Sequence, residues 1–139
     1  MNNHNFSRGF TMIELMIVII IMVIIISFAY PAYNDQIRKS RRAEATGKLL
    51  EVAGAQERFF TRNIAYAANM TTLGYGADNE PTANGHYLVA TARVVNPPSY
   101  TITATPQGDQ ANDALCANLT LNSLGQKGET GTGQVKDCW

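Results

Sequence analysis

Residues 15–33 form a run of nineteen positions without a single charged side chain, most of them Ile, Val, Met, Leu or Phe. A helix needs roughly 20 apolar residues to cross the hydrocarbon core of a bilayer, so the run constrains the start of the chain more than any other feature. Its entrance carries an acid, Glu14. A charge in such a segment costs about 2.5–3.5 kcal/mol at mid-bilayer and less near the interface, so a carboxylate here implies a use for it. A plain anchor has no need of Glu14. A secretory signal has a basic start, a shorter apolar core and a small-x-small cleavage site. Here a nine-residue polar leader with Arg8 precedes a run that is too long and ends without such a site.

Arg8-Gly9-Phe10-Thr11, followed by Glu14-Leu15 and the apolar run, resembles the class III signal of type IV pilins. That resemblance implies cleavage after Gly9 by a prepilin peptidase on the cytoplasmic side and N-methylation of the new terminal residue, Phe10. Cleavage would give Phe10 a free α-amine. Residues i and i+4 share a helix face, so Glu14 can reach the amine of its own chain or of a neighbour. A paired charge is cheaper to bury than a lone one. Glu14 and Phe10 are therefore the candidate assembly residues, with Glu14 setting subunit register.

Removal of the leader and the anchor leaves about a hundred residues, one small domain that benefits from a covalent staple. The two cysteines, Cys116 and Cys138, read as one disulfide in an exported chain; the alternative is two separate buried thiols. From residue 63 onward, Arg93, Lys127 and Lys136 face six acids, a net charge of −3. That balance makes nucleic acid a poor partner. The basic cluster Arg38, Lys39, Arg41 and Arg42 would lie in the cytoplasm by the positive-inside rule, whereas the cysteine pair and the resemblance place the head outside. The latter two prevail, giving an inner-membrane precursor with a periplasmic head and then an extracellular pilus. The cluster itself reads as a solvated or lipid-facing helix face, or as a set of partners for a neighbour's acids.

Residues 34–60 are rich in good helix formers, and Ile37, Leu49, Leu50, Ala53 and Phe60 lie close to one stripe. One helix from residue 10 to about 61 is expected, with Pro31 inside it. Proline removes a backbone bond and kinks a helix. Pro31 matches the position of a pilin proline that marks a kink or local unwinding, although Val23 stands where many pilins have a glycine. The sequence Gln56-Glu57-Arg58-Phe59-Phe60 resembles the end of this helix in PilE-like minor pilins. A surface loop is expected over 64–85. Strands follow at 87–95, 100–105 and 117–122, with Leu88, Ala90, Ala92 and Val94 sharing one face, threonines outward on the second strand, and Leu119 and Leu121 inward. The glycine-rich stretch 125–133 lacks the Gly-Lys-Ser/Thr ending of a phosphate loop and reads as a flexible loop within the Cys116–Cys138 bracket. The pattern from Cys116 to Cys138-Trp139 again resembles PilE-like pilins.

The expected architecture is α+β: a pilin lollipop whose long helix packs under an antiparallel meander closed by a disulfide-bounded region. Its parts are a cleaved leader (1–9), a membrane and filament half of the helix (10–33), an amphipathic half (34–62) and a globular head (63–139). No catalytic constellation is present. The two histidines, His4 and His86, have no partners that sequence can place, and neither a metal site nor a cofactor motif is found. The resemblance implies a structural minor subunit of a type IV pilus, with other pilins, the prepilin peptidase/N-methyltransferase and the inner-membrane assembly machinery as partners, serving twitching motility and adhesion. The alternatives are a major pilin, a DNA-receptor pilin for natural transformation and a type II secretion pseudopilin.

Overall fold

The computed structural model describes residues 10–139; Gly9 and the rest of the leader lie outside it. Helix α1 runs Met12–Asn63, and its assignment is unbroken through Val23 and Pro31. Two compact units divide between Gln36 and Ile37. In the first, every side chain from residue 10 to residue 33 is exposed.

The second unit holds the rest of α1 and a five-stranded antiparallel meander, β1 (Glu80–Pro81), β2 (Tyr87–Val94), β3 (Ser99–Pro106), β4 (Leu119–Asn122) and β5 (Lys127–Glu129), in sequence order. A short helix, α2 (Val135–Cys138), follows. The buried positions of α1 are Arg42, Ala45, Leu49, Val52 and Gln56, spaced alternately three and four apart, as one face of a helix requires. Ala45, Leu49 and Val52 meet Tyr87, Val89, Ile102, Ala104, Leu119 and Leu121 in one core. Leu49 is fully buried but its neighbour Leu50 is 57% exposed. Of the expected stripe, Leu49 is at its centre and Ile37, Ala53 and Phe60 are half-buried, Leu50 alone turns outward, and the true stripe has polar residues at both ends.

Two further points concern the strands. On β2, Leu88, Ala90, Ala92 and Val94 do share a face, and the inward set is the other one, Tyr87, Val89 and Thr91. Both sets alternate, and the larger side chains fill the space against α1. The glycine-rich stretch is packed rather than flexible. It contains β5, paired with β4, and then runs beside the chain before Cys116, with Thr132 N–H donating to Ala114 O at 3.0 Å and Gly133 N–H to Leu115 O at 2.8 Å. A Cβ on Gly131 would collide with the Leu115 carbonyl, so close backbone approach is what glycine supplies here.

Candidate functional site: the helix start and the disulfide-bounded region

The helix start is built by Thr11. Its Oγ1 accepts from Glu14 N–H at 3.3 Å, and its carbonyl accepts from Leu15 N–H at 3.2 Å. Thr11-Met12-Ile13-Glu14 therefore has the T-x-x-E spacing of a capping box, and an acid in the first turn favours the helix dipole. The bond is to the Glu14 backbone, so Thr11 is the residue that caps the helix. Phe10 is 83% exposed. The helix behind it is long and apolar enough to cross a membrane. Pro31 lies within α1, also exposed.

In the other unit, Cys116 and Cys138 are joined, Cα to Cα 5.5 Å. Both are buried. The region they close is gripped from α1 by Arg42, which the sequence placed on a solvated or lipid-facing surface. Arg42 is 5% exposed. Its Nε and Nη2 donate to Asp113 Oδ2 and Oδ1, each at 2.6 Å, a bidentate, charge-assisted pair. Its Nη1 donates to Asp137 O at 3.3 Å. Asp113 stands three residues before Cys116 and Asp137 one before Cys138, so a single guanidinium holds both arms of the closed loop. Gln110 Nε2 adds bonds to Asp113 Oδ2 and to Tyr87 Oη, both at 3.0 Å. Trp139 Nε1 donates to Gly128 O at 3.0 Å on β5, and Lys127 lies over its ring.

At the far end of the buried stripe, Gln56 acts as a strand partner would. Its Oε1 accepts from Ala67 N–H at 2.9 Å, and its Nε2 donates to Ala67 O and Thr91 Oγ1. Glu57 accepts from Tyr100 Oη at 3.1 Å. Burial, with that carboxylate, pushes the Tyr100 phenol well above its usual range. Helix α1 ends at Ile64, whose N–H donates to Phe60 O with φ at +55°, a strained conformation for a β-branched residue. Among the described residues no group of His, Cys, Asp and Glu is arranged to hold a metal.

A long helix with an exposed apolar start, a small antiparallel sheet and a disulfide-bounded C-terminal region define the class of type IV pilins. A type IV pilin structure from Shewanella oneidensis shares this fold, with TM-score 0.54 and 24% identity over 73% of this chain and 97% of that one. Residues 4–30 match the prokaryotic N-terminal methylation motif. Residues 31–120 match the family described as type IV minor pilin ComP, DNA uptake sequence receptor, and the chain belongs to that family. Relatives include fimbrial protein EcpC of Eikenella corrodens, 36% identical over 58% of this chain and 50% of that protein. Type IV major fimbrial protein FimA of Dichelobacter nodosus is 60% identical over 27% and 23%. Type IV major alpha-pilin of Moraxella bovis is 51% identical over 32% and 28%. The match thus spans half the length of the first relative and about a quarter of the other two.

Proposed function

We propose that this chain is a minor subunit of a type IV pilus. It is cut between Gly9 and Phe10, methylated at Phe10, held in the inner membrane with its head in the periplasm, and then drawn into the filament. The observation that carries this reading is the complete exposure of residues 15–33, the uncharged stretch of α1 behind Glu14. Such a surface needs lipid before assembly and neighbouring helices after it, since exposed apolar area of this extent marks a contact surface. Glu14 then enters a low-dielectric setting where a neighbour's amine is its natural partner. The family description supports the minor role. Twitching motility and adhesion belong to the filament as a whole. The test is Glu14→Ala in the native host. Its effect should be loss of the subunit from sheared pili with the processed form retained in the membrane, and normal incorporation would defeat the reading.

A DNA-receptor role is the second reading, favoured by the family's description as a DNA uptake sequence receptor. It runs against the net charge of −3 from residue 63 onward. Local cations could serve it: Lys127 beside Trp139, or Arg93, whose Nη1 donates to Tyr66 O near the end of α1. Duplex binding by the head that weakens steeply with salt would support it; no binding at low salt would remove it.

A further inference from the structure

The outer face of the sheet has an unusual composition. All the charged residues of the five strands, Glu80, Arg93, Lys127 and Glu129, occupy the same parity as the core-facing residues. Register shows this: Glu80 pairs with Val89, Arg93 with Tyr100, Lys127 with Leu121 and Glu129 with Leu119. The opposite parity carries no charge. Its centre is Ala90 and Ala92 on β2, Thr101, Thr103 and Thr105 on β3, and Thr120 on β4, cross-paired Ala90–Thr103, Ala92–Thr101 and Thr103–Thr120. All six are partly or fully exposed. β-propensity explains threonine on such a face but not the exclusion of charge, since the solvent face of an antiparallel sheet is ordinarily polar and lysine and glutamate are mostly exposed residues. Gly128 lies beside Thr120, where a Cβ would meet the Thr120 hydroxyl at 2.5 Å, so this border of the face is kept low.

We propose that this face is a self-association surface, docking on the same face of a second copy. Two physical points select that occupant. A threonine hydroxyl both donates and accepts, so a lattice of hydroxyls and methyls complements its own image, and an isologous contact needs that property. A face with no charge also meets no like-charge repulsion from its copy. The absence of charge makes it a poor surface for phosphates, and the absence of exposed aromatic rings at its centre makes it a poor platform for sugars. The size of the face sets where the contact operates. About a dozen positions at roughly 32 Å² each, from strand spacing and rise, give roughly 400 Å² per copy. Stable complexes bury about 800 Å² per partner. The contact is therefore weak between free molecules and forms where copies are concentrated on a membrane. The inference rests on the membrane-anchored part of that reading but not on the subunit's entry into the filament.

The test uses the processed full chain in vesicles of phosphatidylethanolamine and phosphatidylglycerol. Both native cysteines are in the disulfide, so Thr103→Cys introduces a single thiol at the centre of the face. A short bis-maleimide should then yield cross-linked dimer about tenfold above Thr61→Cys, an exposed helix control, as expected from a raised effective concentration. Adding Thr101→Lys, or independently Thr105→Lys, should return the yield to control. Dimer at the control level, or dimer that survives both lysines in protein of unchanged protease resistance, overturns the proposal. So does cross-linking in native membranes to a different protein in place of a second copy.

Discussion

The two units of this protein invert the usual rule of what lies outside and what lies inside. From residue 10 to residue 33 the apolar side chains are all exposed. Beyond Ile37, the same helix buries an arginine and a glutamine, and the segment just before Cys116 buries an aspartate. Among the described residues nothing covers the first unit, which fits a surface that meets lipid or other subunits. The second ties its largest buried polar groups with bonds: Arg42 with Asp113, Gln56 with Ala67 and Thr91. Exposed grease thus points to what lies beyond the chain, and buried charge shows how the chain is tied to itself.

The strongest way to break the second half of that comparison is Arg42→Ala. It leaves Asp113 as a buried, uncompensated carboxylate, and removing one partner of such a pair costs about 3–5 kcal/mol. Urea unfolding of the oxidised protein should show it, and the double change Arg42→Met, Asp113→Leu should recover much of the loss. Opening the staple comes next. Cys116→Ser with Cys138→Ser frees a loop with a sequence separation of 22, worth roughly 3 kcal/mol in the chain-entropy treatment. Gln56→Ala is smaller, about 1–3 kcal/mol, because it strands the buried Ala67 backbone groups without replacing them.

The smallest effect is pH dependence, which sharpens the comparison by isolating exposed ties. Lys48's hydrogen bond, and Tyr75's, outweigh burial and hold Glu51 below its ordinary 4.5. Burial pushes Glu44 up, but the bonds from Asn84 N–H and its amide hold it below 4.5. Both carboxylates contribute stability that is present above pH 4.5 and fades as pH falls through their lowered values. Tyr75 is pushed from 10.0 up to about 12 by burial and the Glu51 carboxylate, so its contribution is complete below pH 10 and fades between 10 and 12. Thermal melts should show a plateau between these limits, and Glu51→Gln should soften both limbs.

The first unit was legible in the sequence because absence of charge over nineteen residues is an unambiguous signal, and Glu14 stood out against it. The order of the main strands was legible too, from alternation and from the turn at Pro97-Pro98. What sequence missed was polar. Arg42 and Gln56 sit at the ends of a stripe whose middle is Ala45, Leu49 and Val52, but a search for apolar periodicity finds Leu49, passes over the polar pair and adds Leu50. Their three-and-four spacing from Leu49 was the available signal. Asp113 offered none, since its partner lies 71 residues away. On β2, alternation could not choose between two apolar sets, and side-chain volume decided. The glycines at 128, 131 and 133 looked like freedom and proved to be close contact. Their neighbours at Thr120 and Leu115 become visible only once the chain is folded.

The most direct test of the central claim is quantitative mass spectrometry of pili sheared from the native host. The account predicts a peptide that begins at N-methylated Phe10, present at a small fraction of the most abundant pilin. The same peptide as the dominant species would contradict the minor role. Its absence from pili, with the processed chain confined to the membrane, would contradict membership of the filament itself.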